Sequence, residues 1–233
     1  MLNESLAPAA LPEGLRVYAV GDVHGCDDRL AALHALIARD ATARPAAHIV
    51  LLHIGDYVDR GPDSAGVIRR VMGAPPVPGA EVVNLRGNHE ALLLAGHGPR
   101  AAADDAWLWL RNGGRQTLRS YGAAEERGVI PAAHLDFLRG LPSSWRAGGY
   151  FFAHAGVRPG VTLDAQADDD LLWIREPFLS SQADHGAVVV HGHTPRDTVE
   201  VRRNRIGLDT AAVFGGVLTC LVLEADRMGF LSA

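Results

Sequence analysis

The chain has 233 residues, 48% of them hydrophobic, and 22 basic residues against 27 acidic ones leave a net charge of -5. That is enough chain for one large core and too little for two separate enzymatic domains. The near balance of charge argues against a nucleic-acid-binding surface, and no apolar stretch reaches the length of a membrane span. Two cysteines, Cys26 and Cys220, do not make a disulfide framework, which points to a reducing compartment. Residues Met1 to Gly14 lack the basic start of a signal peptide, and Pro8 and Pro12 interrupt their apolar character. A cytoplasmic protein with a loose N-terminus (1–14) is expected.

A first strand, Leu15–Val20, runs into Gly21-Asp22-Val23-His24-Gly25. A helix follows from Asp27 to Arg39, where Leu30, Leu33, Leu36 and Ile37 recur at helical spacing. A second strand, Ala47–Ile54, leads through Gly55–Pro62 to a helix from Asp63 to Val71, capped by Asp63 or Ser64. Gly73–Gly79, with three prolines and two glycines, is a loop. A third strand, Glu81–Leu85, ends at Gly87-Asn88-His89-Glu90, where another helix begins. This βαβαβ order predicts a parallel sheet with right-handed crossovers. From Gly96 to Trp145 the chain is rich in Ala, Arg and Leu and reads as a helical insertion, about residues 97–146, within a single domain over 15–233. Trp107 and Trp109 do not share a helix face, so one is expected to pack and the other to line the substrate entrance. Asp168–Asp170 reads as a solvated loop. The remaining strands are Tyr150–Ala153, Ala187–Val190, Val199–Arg202, Arg205–Leu208 and Val217–Leu223, whose last short connections predict a mostly antiparallel second sheet.

Five apolar runs are each followed by groups that are costly to bury and typical of metal sites: Asp22 and His24, Asp56 with Asp59 and Arg60, Asn88 and His89, His154, and His193. Hydrolysing a phosphate ester at neutral pH needs a hydroxide nucleophile, stabilisation of the phosphoryl oxygens and a proton for the departing oxygen. Two divalent ions supply the first and much of the second. A mixture of His, Asp and Asn donors suits manganese, iron or zinc better than magnesium or calcium. Asp22 and His24 suit one ion, Asp56 the bridge, and Asn88, His154 and His193 the other. Arg60 offers a planar fork for phosphate oxygens. His89, beside a ligand, suits a general acid, with Asp59 fixing its tautomer and keeping it protonated. His53, inside a strand, reads as a core histidine, and His191 as a packing neighbour of His193. Cys26, at a helix start where a thiol pKa falls, reads as a small apolar filler.

Gly21-Asp-Val-His-Gly25, Gly55-Asp-Tyr-Val-Asp-Arg-Gly61 and Gly87-Asn-His-Glu90 resemble the three signature motifs of the phosphoprotein phosphatase (PPP-type) family of metallophosphoesterases, bacterial serine/threonine branch. His154-Ala-Gly156 and Gly192-His-Thr-Pro195 resemble its two later histidine motifs, and the resemblance spans about residues 16–223. It implies an α/β fold, a four-layer α/β/β/α sandwich of two mixed sheets with the site at the sheet edges. It puts Asp22, His24 and Asp56 on one metal, and Asp56, Asn88, His154 and His193 on the other, with His89 as acid, Asp59 behind it and Arg60 on phosphate. Trp173-Ile-Arg175-Glu resembles the segment carrying a second phosphate-binding arginine, Arg175. Asp209-Thr210 resembles a late family stretch, with Ala211 where Gly is usual, and Asn112-Gly-Gly-Arg115 with Thr117–Tyr121 resembles the bacterial cover segment.

The expected activity is a dinuclear-metal phosphomonoesterase acting on phosphoserine and phosphothreonine in proteins through a metal-bound hydroxide. The ions are manganese first, with iron or zinc as alternatives. The partners are a phosphorylated protein or peptide, or a small phosphate ester, with neither nucleic acid nor membrane. The alternative is hydrolysis of dinucleoside tetraphosphates at the same site. A third reading, an inactive domain that binds phosphorylated partners, is disfavoured because no ligand and no acid is missing.

Overall fold

Strand pairing divides the protein into two sheets. The computed structural model describes residues 3–99, 101–122 and 129–233. One sheet has six strands: β1 (Ser5–Leu6), β2 (Leu15–Val20), β3 (His48–His53), β4 (Glu81–Asn84), β10 (Thr219–Glu224) and β11 (Arg227–Ser232), in the order β1-β11-β10-β2-β3-β4. The other has five: β5 (Ser144–Ala147), β6 (Tyr150–Ala153), β7 (Val188–His191), β8 (Glu200–Val201) and β9 (Arg205–Gly207), in the order β5-β6-β7-β9-β8.

Side-chain alternation explains the layering. In β2, Tyr18 and Val20 pack with Leu30, Leu33 and Ile37 of helix α1 (Asp27–Ala43) and with Val67 and Ile68 of α2 (Ser64–Met72). Val17 and Ala19, on the opposite face, meet Tyr150, Phe152, Val188 and Val190 of the second sheet. Phe151, Ala153 and Val189 point the other way, against Leu171 of α7 (Asp168–Trp173) and Ile174 and Phe178 beyond it. The result is the expected α/β/β/α sandwich. Both faces of each central strand are covered, which is why these strands read as unbroken apolar runs. Each Leu, Val or Phe fully buried this way contributes roughly 1.5–3 kcal/mol.

Asp63 proves to be the cap of α2: its carboxylate accepts the Gly66 N–H at 2.7 Å. The expected parallel βαβαβ unit is present, with β2, β3 and β4 paired in parallel. The second sheet departs from expectation. Pairs β6–β7 and β7–β9 are parallel, while β5–β6 and β8–β9 are antiparallel. The last predicted strand, as β10, pairs antiparallel with β2 in the first sheet. Short connections set the direction only of neighbours in sequence, and β10 has a more apolar partner in β2 than in β8.

The N-terminal segment is docked. Ser5 and Leu6 pair with β11, the Leu11 N–H donates to Ala225 O at 2.9 Å, and the Tyr150 hydroxyl donates to Ala9 O at 2.6 Å. Asp168–Asp170, expected as a loop, forms the first turn of α7, where carboxylates favour the helix N-terminus. The expected insertion follows α3 (Asn88–Gly96) and contains α4 (Ala103–Trp109), a π-helical turn (Leu110–Gly114), α5 (Arg115–Ser120) and α6 (Ala132–Arg139). Its last residues instead form β5. Arg100 and residues 123–128 of that predicted stretch lie outside the described residues. Among the described residues no helix is long and apolar enough to cross a membrane.

Candidate metal centre

Because β2, β3 and β4 run parallel, as do β6, β7 and β9, the carboxyl ends of each set open on one edge. Ligand groups just past strand ends therefore meet there. Asp22 follows β2, Asp56 follows β3, Asn88 opens α3 after β4, His154 follows β6 and His193 follows β7. The two sheets are stitched at this edge by the His193 N–H, which donates to Asp22 Oδ2 at 2.9 Å, and by His154 Nδ1, which lies 3.1 Å from Ile54 O.

All six proposed ligands, Asp22, His24, Asp56, Asn88, His154 and His193, converge and are buried. Asp56 sits at the middle: its Oδ2 is 3.3 Å from His24 Nε2 and its Oδ1 is 3.3 Å from His154 Nε2. Asn88 Oδ1 lies 2.8 Å from His154 Nε2 and 2.9 Å from His193 Nδ1. Two clusters of donor atoms, one of Asp22, Asp56 and His154, the other of His24, Asp56 and His89, each lie within 4.8 Å, and Asp56 belongs to both. His24, Asp56, Asp59, Arg60 and His193 all have φ between 46° and 72°, the left-handed region that non-glycine residues avoid. Such strain, of order 1–3 kcal/mol per residue, persists where surrounding bonds impose it.

The sequence profile for calcineurin-like phosphoesterase matches residues 15–216, most of the chain. The chain belongs to the calcineurin-like phosphoesterase family. This phosphoesterase is 33% identical over 214 residues to serine/threonine-protein phosphatase 1 of Salmonella typhimurium, covering 87% of this chain and 89% of that relative. It is 35% identical over 155 residues to a symmetrical bis(5'-nucleosyl)-tetraphosphatase of Acidovorax sp. strain JS42, covering 64% of this chain and 47% of that relative. The chain thus spans about half the length of that tetraphosphatase. Among solved structures, a protein provisionally named a diadenosine tetraphosphatase is similar with a TM-score of 0.66 and 26% identity, covering 94% of this chain and 93% of that one.

The phosphoesterase's donor set fits a divalent metal. Asp22 Oδ1 is buried without a hydrogen-bond partner, and the Asp22 carboxylate belongs to one of the two donor clusters. A buried carboxylate left so costs free energy unless a cation compensates it. Mixed nitrogen and oxygen donors suit a first-row transition ion. Gly192 is required for this arrangement, since a Cβ there would run into the Asp22 carboxylate.

Charge within the phosphoesterase's cluster is strongly polarised. Burial and the neighbouring Asp209 push the Asp22 carboxyl well above the usual range. Burial also pushes Asp56 up, but His154, His89 and His24 outweigh it and hold this carboxyl well below that range. His154, lowered by burial, is lifted to about 9 by Asp56, while burial and His154 press His193 down to about 3. Arg175 is exposed, and its charge adds to the lowering of His193.

Beside the cluster, His89 Nδ1 lies 2.8 Å from Asp59 Oδ2, the expected pair. Burial outweighs Asp56 and Asp59 and lowers the His89 pKa from its ordinary value. Arg60 Nη1 lies 2.5 Å from His24 Nε2, and its guanidinium stands 5.7 Å over the exposed Phe214 ring. Trp109 packs and Trp107 is exposed, its ring 5.0 Å from the Arg111 guanidinium. His191 is buried with its ring 5.0 Å from that of Phe178. His53 is in the core, its Nε2 3.0 Å from His34 Nε2, and His34 is buried as its partner. Cys26 fills space at the start of α1, and burial raises its thiol pKa where a helix N-terminus alone would lower it.

Three contributors escaped the sequence reading. The Glu90 carboxylate accepts backbone N–H groups from Asp56, Tyr57 and Gly87, each at 2.8 Å. Trp109 and Thr117 donate to Asp59 Oδ1. Glu90's place in the Gly87–Glu90 motif was the available signal. For Trp109 and Thr117 the sequence signals, a packing tryptophan and a cover-segment resemblance, named no partner, since Asp59 lies more than forty positions earlier.

Proposed function

We propose that this phosphoesterase is a phosphomonoesterase that removes phosphate from phosphoserine and phosphothreonine in proteins. The observation that carries the chemistry is Asp56, which offers one oxygen to each of two donor groups at 3.3 Å. The near end-to-end similarity to a serine/threonine phosphatase, 87% of this chain and 89% of that one, supports the substrate class.

Asp22, His24 and Asp56 would hold one divalent ion, and Asp56, Asn88, His154 and His193 the second, with manganese preferred and iron or zinc as alternatives. Bound there, such ions supply a nucleophile at neutral pH and neutralise the phosphoryl oxygens. Arg60 and Arg175 bind the remaining phosphoryl oxygens, Arg60 through a fork of donors held over Phe214. In the displacement a water oxygen forms the new P–O bond as the ester P–O bond breaks. His89 gives its Nε2 proton to the departing oxygen, and Asp59, bonded to Nδ1, fixes the ring's orientation. The two buried free thiols support a reducing, cytoplasmic setting.

A second reading keeps these roles and changes the substrate to a dinucleoside tetraphosphate. The end-to-end likeness to the diadenosine tetraphosphatase structure, 94% and 93% of the two chains, favours it. Metal-loaded protein offered a phosphoserine peptide and diadenosine tetraphosphate in parallel tests the choice. We expect the larger kcat/KM on the peptide; the reverse order would replace the first reading with the second.

A further inference from the structure

We propose that Trp109 and Thr117 are positioning residues, which aim the Asp59 carboxylate and through it the His89 ring. The inference rests on the reading of His89 as proton donor to the leaving oxygen.

Asp59 is fully buried, and its two oxygens divide the work. Oδ2 faces His89 Nδ1 at 2.8 Å. Oδ1 accepts from the Thr117 hydroxyl at 2.6 Å and the Trp109 indole N–H at 3.1 Å. A carboxylate turns about its Cβ–Cγ bond, so Oδ2 stays on His89 only while Oδ1 is held. Thr117 does more than donate. Its Oγ1 also accepts the Asp59 backbone N–H at 2.9 Å and lies 3.0 Å from Ser64 Oγ. Since the single Thr117 hydroxyl hydrogen goes to Asp59, Ser64 is the donor in that last pair. The side chain and the backbone of Asp59 are thereby gripped by one residue, at a position whose φ of 72° is strained.

The geometry depends on a broken helix. Residues 109 and 117 would lie about 12 Å apart along a regular α-helix, too far to reach one oxygen atom. Here a π-helical turn intervenes and Gly113 takes φ 114°. A Cβ on Gly113 would run into the backbone of Arg60, and one on Gly114 would come within 2.6 Å of the Trp109 ring. The two glycines let the chain fold back, so that α4 and α5 close on Asp59 from two sides. Their register against Arg60 is set by the Arg60 N–H, which donates to Gly113 O at 3.4 Å.

The test compares metal-loaded wild type with Thr117→Val, Thr117→Ser, Trp109→Phe and His89→Gln on two substrates. One is p-nitrophenyl phosphate, whose phenolate departs without a proton. The other is glycerol phosphate, whose alkoxide needs one. Thr117→Val and Trp109→Phe should lower kcat on glycerol phosphate by roughly 10-fold while changing p-nitrophenyl phosphate turnover by no more than about 2-fold. KM should hold for both, and Thr117→Ser, which keeps the hydroxyl, should restore wild-type selectivity. Equal losses on both substrates in Thr117→Val, or no rescue by Ser, would overturn the inference while His89→Gln still shows the split. A His89→Gln variant with equal losses would instead remove the acid assignment, and this inference with it.

Discussion

Glu90 accepts the backbone N–H of Asp56 at 2.8 Å, so one buried carboxylate holds the loop that carries the carboxylate common to both candidate donor clusters. The same group also takes the N–H of Tyr57 and of Gly87 at 2.8 Å, tying the ends of β3 and β4 together. Burial and the adjacent Asp56 push its pKa up to about 7. Glu90→Gln replaces one accepting oxygen with an amide that cannot accept. We expect it to weaken metal binding by roughly 10–100-fold and stability by about 1–3 kcal/mol. Calorimetric metal titration and urea unfolding read the two losses separately; unchanged metal affinity would deny Glu90 its role at the centre.

Metal binding should release protons. In the metal-free protein His154, lowered by burial but lifted further by Asp56, holds its proton up to about pH 9. A ligating imidazole must give that proton up. Affinity should therefore rise as pH increases from 6 to 8, by up to about tenfold per unit for each proton released. Titrations in buffers of different ionisation enthalpy count the protons, and a count of zero would contradict the His154 assignment.

Metal removal should also cost stability. Loading at about 100 times the dissociation constant stabilises the folded chain by about 2.7 kcal/mol for each site. Chelation should reverse a corresponding rise in Tm, and Asp56→Asn should abolish both that rise and the hydrolysis of p-nitrophenyl phosphate. A Tm indifferent to chelator in the active wild type would argue against resident ions.

Away from the centre, the buried His34–His53 pair predicts acid sensitivity. Burial holds their pKa values at about 4 and about 3, below the ordinary 6.5. The unfolded chain binds protons that the folded chain refuses, so the pair's stability is present above pH 6.5 and is lost as pH falls toward 4. The slope is up to about 1.4 kcal/mol per pH unit for each histidine. Urea unfolding from pH 7 to pH 4.5 should show a steeper fall for wild type than for His34→Gln. Parallel curves would mean that His34 is not held neutral.

Gly113→Ala should be costly for two separate reasons. The position has φ 114°, and a Cβ would meet the Arg60 backbone. We expect a loss of about 2 kcal/mol or more in unfolding free energy, with reduced turnover because Arg60 and Asp59 must shift. Gly160→Ala, also at positive φ but facing open space, is the control and should cost less.

Much of this protein is local information. β2, β3 and β6 are covered on both faces, so each appears as an apolar run whose ends are visible without a structure. Asp22, Asp56, Asn88, His154 and His193 announce themselves because candidate ligands sit just past strand ends, at spacings a loop must satisfy. Pairing across distance was decided only by the tertiary structure. The antiparallel seat of β10 beside β2, the docking of residues 5–11 on β11 and Tyr150, and the His34–His53 contact depend on which surfaces remain open once other elements have packed. The same holds for Trp109, Thr117 and Asp59. A hydrogen bond between groups fifty residues apart leaves no periodicity or spacing to read, because its energy belongs to the packed fold and not to either segment.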